Sequence, residues 1–206
     1  MFQNILIGRL CEYLNEQPGE VLLDNLTEAK VQEQMATICQ KEGLNAITEY
    51  RFDGGRCDVV LSNIPFSRDE PEKASHWIEL KLSWTEMLGN WTDAWRSPAK
   101  FLGDDAQFKK DVKHLASIKA RYPNQNAWLI VVMETEQPFQ DDDVTVIKGK
   151  LTPGQVVKVI SLWTGSNPVE HQIISRDKTN CHILLWDIDR FNDVIYLREG
   201  NKYVLK

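Results

Sequence analysis

Arg56-Cys57-Asp58-Val59-Val60-Leu61 and Trp77-Ile78-Glu79-Leu80-Lys81-Leu82 are the two stretches on which the fold turns. Both are short, rich in β-branched and apolar residues, and bounded by polar or turn-forming segments, so both read as strands. Side chains alternate along an extended chain, which sends Ile78, Leu80 and Leu82 to one face and Trp77, Glu79 and Lys81 to the other. A carboxylate and an amine therefore share one face of a strand whose opposite face is wholly apolar. If the strand before it pairs alongside, Asp58 reaches the same place.

Working outward, Asp53-Gly54-Gly55 separates Arg56 to Ser62 from a further extended segment, Ala46 to Phe52, and those turn residues accept the positive φ of a tight hairpin. Upstream, Val31, Met35, Ile38 and Cys39 lie on one face of a helix from about Thr27 to Glu42, with Gly43 as its stop. An earlier helix over 5–16 carries Ile5, Leu6, Leu10, Tyr13 and Leu14 and ends at Pro18-Gly19. Downstream, 63–75 is a polar surface loop. The segment 104–121 is an amphipathic helix through Phe108, Val112, Leu115 and Ile118, and Ala127 to Met133 is an apolar run expected of a strand buried on both faces. Val144 to Ile147, Val156 to Leu162 and His182 to Trp186 are further strand candidates, with a short helix near Asp187 to Asp193. The order predicts an α/β fold, a mixed sheet flanked by helices. It forms a single domain over 1–206, with a core at about 24–135 and C-terminal elements at about 140–206 completing or extending the sheet.

The chain has 206 residues and a formal charge of −6, with 24 Lys and Arg against 30 Asp and Glu. That is enough chain for a sizeable core. An acidic balance argues against coating nucleic acid electrostatically, yet leaves room for a nuclease whose acidic site lowers the total. No uncharged apolar run approaches bilayer length and no secretory leader is evident, so a cytoplasmic protein without a membrane partner is expected. Cys11, Cys39, Cys57 and Cys181 are widely spaced and form no zinc motif; they read as small buried hydrophobes in a reducing compartment.

Two carboxylates on rigid neighbouring strands suit a hard divalent cation such as Mg²⁺ or Mn²⁺, with the Leu80 carbonyl as a further oxygen ligand. Such an ion polarises a phosphoryl oxygen and activates water, while Lys81 orients that water or offsets charge on the phosphate. Glu-x-Lys alone is weak, since Glu28-Ala29-Lys30 repeats it; the Asp on the preceding strand and the enforced alternation give it weight. The bland alternative is a surface ion pair with both side chains open to water.

With these motifs the chain resembles the PD-(D/E)xK, or restriction-endonuclease-like, nuclease superfamily, over about residues 24 to 135. The resemblance implies a restriction-endonuclease-like mixed sheet flanked by helices. It implies Asp58 and Glu79 as metal-binding carboxylates, Lys81 as the catalytic lysine, and DNA as the expected substrate. Cys57 stands where the superfamily's name has proline. Members often carry another acidic residue on the first core helix, and Glu28 fits, sharing the face of Val31, Met35 and Ile38, whereas Glu33 points to solvent. A Glu there also suits a helix N-terminus behind Asn25.

Arg56 beside the motif, and Gln107 and Lys110 on the following helix with Lys109 and Lys113, are candidates for phosphate contact, although a Lys-rich face commonly serves solubility. Glu49 ranks below them at the border of the site. Trp84, Leu88, Trp91 and Trp95 form an aromatic stripe that reads first as core, then as a dimer contact or base-stacking platform. The four histidines form no readable set. The alternative function is a catalytically inactive nuclease-fold protein acting as a binding or assembly module, as a homodimer or within a multi-subunit assembly.

Overall fold

The computed structural model describes residues 2–19, 26–52, 55–84, 107–136, 153–177, 179–193, 196–199 and 202–205. Helix α1 (Phe2–Asn15) buries Leu6, Ile7, Leu10 and Leu14 at helical spacing. Helix α2 (Glu28–Lys41) begins behind Thr27, whose side chain accepts a hydrogen bond from the Lys30 N–H, so the cap is Thr27 rather than Asn25. It stops before Gly43, which takes the left-handed conformation at φ 84°.

Strands β1 (Asn45–Phe52), β2 (Gly55–Ser62) and β3 (His76–Trp84) follow, then helix α3 (Gln107–Arg121), strand β4 (Asn126–Glu136), helix α4 (Pro153–Thr164), and strands β5 (Glu170–Ser175) and β6 (Thr179–Asp187). A separate two-stranded ribbon joins β7 (Tyr196–Glu199) and β8 (Lys202–Leu205). The main sheet has the order β1-β2-β3-β4-β6-β5; β3 and β4 are parallel and the other neighbours antiparallel. From α2 to β4 the elements come in the order that the sequence predicts.

One sheet face is covered by α1 and α2, whose Leu6, Leu10, Val31 and Met35 join Val59, Ile78, Leu80 and Ile130 in one core. The other face is covered by α3 and α4, with Val112, Leu115, Val156 and Trp163 packed among Val60, Trp77, Leu129 and Trp186. Strand β4 feeds both cores, Leu129 and Val131 into one and Ile130 and Val132 into the other, as its unbroken apolar run requires. The cysteines are free, Cys39, Cys57 and Cys181 buried and Cys11 partly so. No helix among the described residues is long and apolar enough to cross a membrane.

Two expectations for the C-terminal half are corrected. The segment read as a strand, Val156 to Leu162, is helical: Pro153 starts α4, and Val156, Val159, Ile160 and Trp163 recur at the spacing of one helix face, so burial of that face overrides the β-branched composition. Asp187 to Asp193 is not a helix: Asp187 ends β6, and 188–193 is an irregular segment. Its Ile188 N–H donates to the Ala127 carbonyl at 2.7 Å and its Asn192 N–H to the Trp163 carbonyl at 2.6 Å, so its backbone is spent on neighbouring elements rather than on itself. The proposed strand at 144–147 lies outside the described residues, as do Leu88, Trp91, Trp95 and the Trp84 side chain.

Candidate active site

Strands β2 and β3 pair only through Val59↔Ile78, Val60↔Trp77 and Leu61↔His76. Beyond that point β2 stays with β1 as far as Gly55 and β3 stays with β4 as far as Trp84, so the sheet opens into a fork. Asp58 stands at its apex. Its Oδ2 accepts a hydrogen bond from the Leu80 N–H at 2.7 Å, and the Cys57 thiol donates to the Ile78 carbonyl at 3.2 Å. Two side chains thus satisfy backbone groups that a continuous ladder would have paired.

The alternation of β2 breaks at the same place: Cys57 and Val60 lie in one core, Val59 and Leu61 in the other. Across on β1, the ladder skips Glu49, which adopts φ 54°, a left-handed value unusual for a residue with a side chain. Arg68 donates to the Thr48 carbonyl at 2.9 Å and to the Glu49 carbonyl at 2.6 Å, holding this irregularity in place. Local distortion of both strands therefore aims Asp58 into the fork.

Lys81 is 6% exposed. Its Nζ donates to the Leu80 carbonyl at 2.9 Å and lies 3.1 Å from Glu28 Oε1, 3.4 Å from Asp111 Oδ2 and 3.8 Å from Asp58 Oδ2. Burial alone would lower its pKa, but Asp111, Asp58, Glu28 and Glu79 together hold it above the ordinary lysine value, so it stays an ammonium ion. Glu79 is 2% exposed; burial, then the neighbouring Asp58 and Asp111, pushes its carboxyl well above the usual range. Its Oε1 shares a hydrogen bond of 3.1 Å with His114 Nδ1. Glu28, on the first turn of α2, is the solvent-side member of the cluster, its carboxyl raised by burial while Lys81 pulls the other way.

Asp58, Glu79, Lys81 and Glu28 are thus brought together, with the Leu80 carbonyl turned toward Lys81. Open exposure of the Glu79 and Lys81 pair, the bland alternative, is excluded by their burial. Sequence reading missed Asp111 and His114, one turn apart on α3. A signal for Asp111 was present. At 100° per residue it falls inside the arc of Phe108, Val112, Leu115 and Ile118, a carboxylate within an apolar stripe.

The phosphate-contact candidates are dispersed. Arg56 is exposed and turned to Glu49, 2.6 Å away. Lys110 is exposed on α3, and the Gln107 side chain lies outside the described residues. The Lys-rich face is not uniformly solvated. Lys109 is buried and meets Asp193 at 3.1 Å, with Lys113 at 3.8 Å from the same carboxylate, because the segment after β6 packs over this part of α3.

The donor set fits a hard divalent cation in its chemistry. Asp58 and Asp111 face the Lys81 ammonium and Glu79 lies against Asp58, so three buried carboxyl groups share one ammonium, a formal excess of negative charge that a dication offsets. Among the described residues no three His, Cys, Asp or Glu side chains are gathered in metal-ligand geometry, since Asp58 and Asp111 turn to Lys81 and Glu79 to His114. Compared with protein-family models, curated proteins and solved structures, the chain has no match.

Proposed function

We propose that the chain is a metal-dependent nuclease of restriction-endonuclease-like fold that hydrolyses phosphodiester bonds, with DNA as its substrate. The observation that carries this reading is the meeting of Asp58, Glu79 and Lys81 in a buried, acid-rich fork of the sheet. The order α2-β1-β2-β3-α3-β4 supports the fold assignment. Asp58, Glu79 and the Leu80 carbonyl would hold Mg²⁺ or Mn²⁺. The bound ion supplies a Lewis acid and an activated water.

The protein's own part is positioning and charge. Asp58 is locked by the Leu80 N–H, so its carboxylate needs no reorganisation. Lys81 remains cationic and can neutralise charge developing on the phosphate. Glu28 holds that ammonium from the solvent side and keeps it at the mouth of the fork. A cytoplasmic setting, where the four thiols stay reduced, belongs to the same proposal.

The test is cleavage of plasmid and single-stranded DNA with Mg²⁺ or Mn²⁺. Wild type should cut with the ion and not with a chelator, and Asp58→Ala and Lys81→Ala should lose about a hundredfold or more of the rate. Absence of metal-dependent cleavage by wild type overturns the proposal. A second reading, a nuclease-fold binding or assembly module, is favoured by the net charge of −6. It predicts nucleic-acid or partner binding indifferent to both substitutions.

A further inference from the structure

We infer that His114 is a positioning residue for Glu79, and that Gly55 is glycine to make room for it. The inference rests on the proposed nuclease reading and concerns how its site is held open. Lys81 draws Glu28, Asp58 and Asp111 to itself, whereas the Glu79 carboxylate is engaged through Oε1 by His114 Nδ1 at 3.1 Å. A flexible carboxylate beside an ammonium would otherwise collapse onto it. With Oε1 held by the imidazole, the carboxyl keeps its place against the Asp58 carboxyl, to which it is hydrogen-bonded, so that an incoming cation would meet both groups there. Groups that fix a ligand's orientation in this way commonly govern metal affinity as strongly as some ligands do.

Gly55 supplies an independent observation. It lies in β2 with no left-handed φ, so its backbone conformation alone does not demand glycine. A methyl group there would come within 2.8 Å of His114 Nε2 and 3.0 Å of Cε1. The imidazole is thus held between the start of β2 on one side and Glu79 on the other. Helix α3 delivers it together with Asp111 one turn earlier, so a single helix face brings both groups to the fork.

The experiment is a Mn²⁺ titration followed by electron paramagnetic resonance on wild type, His114→Leu, His114→Asn and Gly55→Ala, with DNA cleavage and thermal unfolding measured beside it. His114→Leu should weaken Mn²⁺ binding by about 10- to 100-fold. Asn places an amide nitrogen near the position of Nδ1, so His114→Asn should recover most of the affinity. Gly55→Ala removes no polar group, yet should weaken binding by displacing the ring. Thermal unfolding shows that each variant is folded. If wild type binds and cleaves while His114→Leu matches it in both, the positioning role is overturned and the nuclease reading stands. An Asn variant as defective as Leu overturns the hydrogen bond as its means. If wild type neither binds Mn²⁺ nor cleaves, the nuclease reading fails and this inference with it.

Discussion

Replacing Lys81 by Met tests the electrostatics of the fork, because Met has similar length and cannot pair with a carboxylate. At an effective dielectric constant of about 20, a unit charge at the separations of Asp111 (3.4 Å) and Asp58 (3.8 Å) gains roughly 4 to 5 kcal/mol of gross attraction from each. Glu28 is closer but 37% exposed, so solvent screens its share. The net effect is smaller, since burial costs the ammonium much of that gain. Breaking a buried pair from one side costs about 3 to 5 kcal/mol. For a domain of this size that lowers Tm by about 10 °C. Urea and thermal unfolding at pH 7 in chelator should show that loss. The gap should narrow as pH falls, because a proton on Glu79, whose pKa burial already raises, relieves its repulsion of Asp58 and Asp111. Mg²⁺ at a hundred times its Kd should return about 2.7 kcal/mol. A Met variant as stable as wild type at pH 7 in chelator, with no response to the cation, would refute the reasoning.

Glu79→Gln should raise the stability of the metal-free protein at neutral pH while abolishing cleavage. The folded state holds that proton more tightly than the unfolded chain, so wild type loses stability as pH rises past the ordinary carboxylate range and the Gln variant loses less; parallel stability-pH curves would contradict this. His76 packs against Phe2 and Trp128, and burial lowers its pKa to about 4. The unfolded chain therefore binds that proton first, and stability should fall by up to about 3 kcal/mol as pH drops from about 6.5 to 4. His76→Phe should flatten this part of the urea-measured profile; an unchanged slope would refute the assignment. Glu49→Gly removes the side chain from a left-handed residue and should stabilise the fold by about 1 kcal/mol in urea unfolding, where a loss would show that the Arg56 pair outweighs the strain.

The parts of the molecule legible in the sequence are those whose periodicity and burial agree. The strict alternation of Trp77 through Leu82 placed Glu79 and Lys81 on one face, and the two cores divide Trp77 from Ile78 and Leu80 accordingly. Glu28 was legible because its helix face is fixed by Val31, Met35 and Ile38. Other features depend on contacts distant in sequence. Lys109, buried on α3, meets Asp193 from beyond β6, and His114 meets Glu79 and Gly55 from other elements. Helix α4 was misread because Val156, Val157, Val159 and Ile160 carry a strand-like composition on a helical spacing, and the spacing prevailed. Strand β5 gave no apolar signal: it is an edge strand in which Ile174 alone is buried.

The account rests on a divalent cation seated between Asp58 and Glu79. The most direct measurement is anomalous diffraction from crystals grown with Mn²⁺. The predicted result is a peak about 2.2 Å from oxygens of both carboxylates, lost in Asp58→Asn. Fully occupied Mn²⁺ elsewhere, with no peak within bonding distance of Asp58 and Glu79, would contradict the account.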